Sequence, residues 1–263
     1  IFGTGSDNLY YAVDDQVYAA DPSDANLAEV LASPKIKKTG YDLKKLTVAL
    51  ARQGLILGGL DFDLMIAAYL LNPARSSYSL EDLALENLGE FIRPGSLTAP
   101  EALGLVVKLK PRLKQSLEAK ELFGLFSDLE MPLVGILARM EQDGIKLDLD
   151  LLARLARELE QRLIKLIAKI YDASGTQFNI NSPKQLGSVL FEKLRLPVVK
   201  RTKTGPSTDE EVLRQLALKH ALPALLLEYR QLAKLKNTYV DALPKLVDPA
   251  DGRVHTSFNQ TGT

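Results

Sequence analysis

The sequence predicts two successive architectures: a small α/β unit of about 115 residues, then a unit of long helices. Three observations carry this. Tyrosine- and valine-rich alternation opens the chain, and short capped apolar segments follow it. After Leu117 the apolar spacing settles into sustained steps of three and four.

The elements follow in order. "NLYYAVDDQVYAAD" (8–21) places two short β-prone runs around "DDQ" and predicts a hairpin. "DLKKLTVALARQG" (42–54) carries apolar residues at Leu43, Leu46, Val48, Ala49 and Leu50 and predicts a helix stopped near Gly54. "DFDLMIAAYLLNP" (61–73) predicts a second helix, ended at Asn72-Pro73 and opened by Asp61 and Asp63. "SLEDLALENLG" (79–89) pairs a Ser-x-x-Asp start with a glycine stop. "RPGSLTAPEALG" reads as a loop rich in breakers. Further on, 129–144 and 147–175 read as helices. The second has an apolar stripe of Leu152, Leu155, Leu159, Leu163, Leu166, Ile167 and Ile170, which suits packing against neighbouring helices. "DGRVHTSFNQTGT" alternates like a strand for which the sequence offers no partner, and the expectation is a truncated chain.

Composition narrows the classes. The chain has 263 residues, no cysteine and only two histidines, His220 and His255. Disulfides are excluded and a zinc site of nitrogen and sulfur ligands is disfavoured, while carboxylate-held magnesium stays open. No apolar run approaches the roughly 18 residues of a membrane span. The zero net charge hides a gradient. Residues 1–50 hold seven acidic and five basic residues, whereas 178–245 hold twelve basic and six acidic, a local net of +6. Such a gradient fits either a polyanion-facing surface or a solvated lysine-rich one.

Within the basic stretch three elements stand out. Ser182-Pro183-Lys184-Gln185 is a capping-box pattern after Asn179 and Asn181. A helix start is also an anion site, and short amides bond phosphate or sugar without reading sequence. "KRTKTGPSTDEEVL" (200–213) is a basic hydroxyl-bearing loop whose Thr208-x-x-Glu211 predicts another capping box. In "YRQLAKLKNTY" (229–239), Arg230, Lys234 and Asn237 recur at i, i+4 and i+7 on one face. Each alone fits a solvated surface. Together, within about 60 residues, they point to a nucleic-acid backbone site.

"FNINSPKQLGSVLFEKLRLPVVKRTKTGPSTDEEVL", "YRQLAKLKNTYVDALP" and "GRVHTSFNQTGT" closely resemble the thumb and early palm of bacterial family A DNA polymerases, over roughly residues 125–263. Residues 1–115 resemble, more weakly, the 3′–5′ exonuclease-type domain that precedes that thumb. The resemblance implies a ribonuclease H-like α/β domain at 1–115, a mainly helical thumb with its supporting helices at 116–245, and the start of the palm at 246–263. It implies a monomeric DNA-directed DNA polymerase of the bacterial cytoplasm and nucleoid, acting in replication and repair. Its partners would be the primer–template duplex and deoxynucleoside triphosphates. The duplex contacts carried over by position are Asn179, Asn181 and Ser182 at the helix start, and Lys203, Thr204 and Ser207 in the tip loop. Arg230, Lys234, Asn237 and Thr238 follow on the later helix, with Thr261 and Thr263 at the palm end.

The departures are as informative. The two palm aspartates that hold metal ions in the family, Mg2+ in the parent polymerase, lie beyond "FNQTGT", as does the fingers helix. No catalytic residue or metal ligand is therefore assigned, and the chain alone is not expected to polymerise. Of four exonuclease carboxylates only Asp42, in "TGYDLKK", has a counterpart: a lone remnant, so the nuclease-type fold is expected to be vestigial. Two alternatives stay open, a stand-alone 3′–5′ exonuclease of similar fold and a non-enzymatic helical scaffold.

Overall fold

The computed structural model describes residues 2–3, 9–13, 16–21, 23–203 and 205–262. Two compact units emerge, one formed by Ile1–Gly144 with His255–Thr263 and the other by Ile145–Val254.

In the first unit, β1 (Phe2–Gly3), β2 (Leu9–Val13) and β3 (Gln16–Ala20) form an antiparallel sheet, and β2 and β3 are the expected hairpin, in register from Leu9↔Ala20 to Val13↔Gln16. Helix α1 (Ala25–Ala32) is capped by Asp24. Strand β4 (Lys38–Gly40) runs into α2 (Leu43–Ala51), which is followed by a left-handed Gly54 at φ +78°.

The expected helix over 61–73 is half strand. Leu60–Asp63 form β5, parallel to β4 and in register at Gly40↔Asp63, and only Leu64–Leu71 are helical (α3). Phe62 is buried in the strand against Phe126, with ring centroids 4.7 Å apart, while Asp63 caps α3. Tertiary pairing overrides local pattern here. Helix α4 (Leu80–Leu88) has the expected Ser79 cap and left-handed Gly89.

The stretch read as a loop holds the start of a long helix. Thr98 and Glu101 form a capping box, with Thr98 N–H donating to Glu101 Oε2 at 2.8 Å, and α5 runs from Ala99 to Ala119 through Pro111. Its Leu105, Leu109, Leu113 and Leu117 repeat every fourth residue and are all buried. Each such leucine contributes about 1.5–3 kcal/mol of burial, which outweighs one interior proline. A short helix α6 (Phe123–Leu125) continues through one π turn (Phe126–Glu130) into α7 (Met131–Asp143), stopped at Gly144.

The second unit starts with β6 (Ile145–Lys146) and α8 (Leu149–Ser174), capped by Asp148 and closed by left-handed Gly175. The α8 stripe packs as its spacing predicts, with Leu163, Leu166 and Ile170 in a core shared with Leu186, Leu190, Leu213, Leu222 and Leu226. Helix α9 (Pro183–Gly187) continues as a π segment, Ser188–Lys193. The loop beyond it carries the two-residue strands β7 (Arg201–Thr202) and β8 (Gly205–Pro206). Helix α10 (Glu210–Leu216) and α11 (Ala221–Leu235) follow, α11 passing into a π turn at Lys236–Val240. The strand without a visible partner has one: β9 (Arg253–Val254) pairs antiparallel with β6. Among the described residues no helix is long and apolar enough to cross a membrane.

Candidate nucleic-acid interface

The helix start at 182 is a working cap. Gln185 N–H donates to Ser182 Oγ at 3.4 Å, and Pro183 fills the first helical position, where no N–H is needed. The reciprocal arm of the expected box goes elsewhere. Gln185 Oε1 accepts from Asn179 N–H (2.7 Å), because the Ser182 N–H is already spent on the Asn179 carbonyl (2.9 Å). Asn179 Oδ1 accepts from Asn181 N–H (3.0 Å), and Asn181 Nδ2 donates to the Tyr229 hydroxyl (3.2 Å). Both asparagines remain exposed.

The tip loop is built differently from its sequence expectation. The α10 cap is Asp209, not Thr208: Asp209 Oδ1 accepts from Val212 N–H at 2.9 Å. A carboxylate outcompetes a hydroxyl here because it also pairs with Lys200 (3.0 Å), while its own N–H donates to Ser207 Oγ (3.2 Å). The Val212 bond first, then Lys200 and Ser207, hold the Asp209 carboxyl down at about 2. Thr208 is buried and offers its carbonyl to Arg230 Nη1 (2.5 Å). Ser207 is buried as well, while Lys203 is exposed; Thr204 lies outside the described residues.

A groove of about 940 Å³ separates these two elements. Ser182, Lys184, Ser188 and Glu192 stand on one wall, with Arg201, Thr202, Ser207 and Asp209 on the other. Of the residues expected from sequence, Ser182 and Ser207 line it. Lys184 and Arg201 line it too and were missed, although each is a cation beside an assigned residue, a signal the sequence did contain.

Helix α11 braces both walls through consecutive residues, Tyr229 to Asn181 and Arg230 to Thr208. Arg230 is therefore half-buried, and burial lowers its guanidinium from its ordinary value. Lys234, one turn on, is exposed, and among the described residues it has no ion-pair partner. Asn237 and Thr238 are exposed on the π turn, where Lys236 is neutralised by Glu160 (3.0 Å) and Asp241 (2.7 Å). In the first unit Thr261 closes a small turn, its N–H and hydroxyl both donating to Asn259 Oδ1 (3.1 Å each). Thr263 lies outside the described residues.

Asp42, the lone nuclease-type remnant, and its neighbour Asp63 are structurally committed. Asp42 sits in the left-handed region (φ 50°) and accepts from Lys45 N–H at 3.2 Å. Asp63 is fully buried and caps two helices at once. Oδ2 accepts from Leu43 N–H (2.6 Å), and Oδ1 from Asp42, Met65 and Ile66 N–H (3.2, 2.9 and 3.4 Å). Burial pushes its carboxyl up to about 6, against the downward pull of those N–H bonds. Its lone pairs are spent on backbone N–H groups, so Asp63 does not fit the role of a partner to Asp42 in a two-metal site.

The model of DNA polymerase family A matches residues 149–263, and that of the DNA polymerase I ribonuclease H-like domain matches residues 2–90. DNA polymerase I of Geobacillus stearothermophilus is 42% identical over 245 residues, covering 86% of this chain and 28% of that relative. DNA polymerase I of Caldicellulosiruptor bescii is 44% identical over 204 residues, covering 76% of this chain and 24% of the relative. The chain thus spans about a quarter of the length of these curated relatives. A solved structure, the POL domain of Pol1 from M. smegmatis in complex with DNA primer-template and dNTP, superposes with a TM-score of 0.84 at 36% identity, covering 94% of this chain and 45% of that one. With a ribonuclease H-like domain followed by a helical polymerase region, each matched by its own family model in that order, the chain belongs to the family A DNA polymerases, of the DNA polymerase I type.

Proposed function

We propose that this chain is the duplex-gripping part of a DNA-directed DNA polymerase, with residues 116–245 as thumb, 246–263 as the start of the palm and 1–115 as an inactive exonuclease-like domain. The observation that carries the reading is the groove between the Ser182 helix start and the Arg201–Ser207 loop. Hydroxyls and cations on both walls outnumber the carboxylates of Glu192 and Asp209, the latter paired with Lys200, and suit a phosphate backbone better than a base edge. The solved Pol1 relative, held with primer-template DNA and dNTP, supports a duplex as the ligand.

In this reading Asn179, Asn181, Ser182, Lys203, Thr204, Lys234, Asn237, Thr238, Thr261 and Thr263 meet phosphates and sugars, while Ser207 and Arg230 hold the loop and α11 in place behind them. Lys184 and Arg201 join the contacting set. The parent enzyme would use Mg2+ on carboxylates outside these residues and act as a monomer in the bacterial cytoplasm, as its bacterial relatives suggest.

The test is salt-dependent binding of a primer–template duplex. Lys234→Ala should weaken binding about equally for all sequences and lower the salt slope by about one unit. Unchanged affinity at low salt would remove Lys234 from the interface. Magnesium-dependent degradation of single strands that Asp42→Ala abolishes would instead revive the exonuclease reading.

A further inference from the structure

The segment that carries Thr261 is pinned at successive points by α7 and the turn before it. His255 Nδ1 lies 2.7 Å from the Glu141 carbonyl. Phe258 N–H donates to Glu141 Oε1 at 2.8 Å, and Ser257 Oγ reaches the same oxygen at 3.4 Å. Gln260 Nε2 donates to both the carbonyl and the carboxylate of Glu130, at 2.8 Å each. Gly144 adds a steric stop: it sits at φ +59°, and a Cβ there would lie 2.7 Å from the His255 ring.

One further group completes the arrangement. The Lys44 ammonium, on α2, pairs with Glu141 Oε1 and reaches Ser257 Oγ at 3.4 Å. The two side chains are only 10% and 9% exposed. A carboxylate so buried is costly unless a cation accompanies it, so Lys44 determines whether Glu141 stays in place and aimed at Phe258. A buried pair of this kind adds little net stability over an apolar pair of equal size. What it fixes is register, since the charges must meet in one geometry. Phe258 and Gln260, both tethered, flank Asn259, whose Oδ1 holds Thr261.

We propose that Lys44 and Glu141 are positioning residues for the duplex contact at Thr261: α2, in the nuclease-type unit, sets the register in which residues 255–261 meet DNA. This rests on the DNA-binding reading above. It gives the nuclease-type unit a task in polymerase binding, performed through a buried pair that touches no phosphate.

The test combines backbone amide exchange at Phe258 with equilibrium binding of a short primer–template duplex, both on the whole chain. Lys44→Met should speed Phe258 exchange about tenfold or more and weaken duplex binding about three- to tenfold, with the salt slope unchanged. Lys44→Arg should restore most of both. If Lys44→Met fails to fold, Glu141→Gln replaces it, keeping a carbonyl for Phe258 N–H while removing the buried charge, and should act in the same direction. Unaltered exchange in a folded variant overturns the proposal, as does faster exchange with unchanged affinity. A slope lowered by about one overturns it too, because Lys44 would then sit on a phosphate. A wild-type chain that binds no duplex sinks the DNA-binding reading itself, a result distinguishable from all of these because it needs no variant.

Discussion

Asp63 shows how far a residue's role can sit from its sequence context. Beside Asp61 and Phe62 it reads as a helix opener. In the fold it closes a strand and supplies one acceptor pair to the starts of α2 and α3. Asp63→Asn leaves one oxygen for four N–H groups and turns a donor toward donors, so it should cost about 2–3 kcal/mol at neutral pH, read from denaturant unfolding. The proton linkage has a definite sign. With the folded carboxyl raised to about 6 and the unfolded one near its ordinary value, the folded state binds the extra proton. This contribution is fully present below about pH 4 and is lost as pH rises through about 6. Asp63→Asn should flatten that slope, and an unchanged slope would assign the titration to another group. The sequence could not reveal this double cap, because two of the N–H groups it satisfies, those of Asp42 and Leu43, lie 21 and 20 residues upstream and meet it only through the β4–β5 pairing.

At the scale of elements, legibility followed the range of the deciding interaction. The hairpin, α2, α4 and α8 were readable because alternation, spacing and glycine stops act within a few residues. The start of α5 was readable in principle from Thr98-x-x-Glu101, but adjacent prolines and glycines obscured it. Strand β5 was not readable, since its partner lies elsewhere in the chain. The interface behaves alike: the Ser182 cap was visible, whereas the change from Thr208 to Asp209 depended on Lys200 arriving across the loop. Likewise no local pattern announces that α11 braces two walls. Tyr229→Phe removes the acceptor of the Asn181 amide and should lower stability by about 1 kcal/mol. It should also weaken duplex binding two- to threefold without altering the salt slope, since no charge is lost (about zero change in counterions released). A thermal midpoint and affinity identical to wild type would show that the brace is idle.

At the scale of the whole molecule, the described residues form two separate cores, one around Leu43, Phe62, Leu109 and Leu113 and the other around Ile170, Leu190 and Leu226. Ile170→Ala should cost about 2–5 kcal/mol within the second core, while amide protection at Leu109 and Leu113 stays within a few-fold of wild type. Loss of protection in both cores would show a single cooperative body. The first unit is also discontinuous along the chain, since Glu141 and its partners Ser257 and Phe258 lie on either side of Ile145–Val254. A ribosome adding about 5–20 residues per second would therefore spend about 5–20 s on the intervening unit before Phe258 exists. During synthesis the second-encoded unit is the first that can be finished, and the Glu141 carboxylate waits, hydrated, for a peptide not yet made.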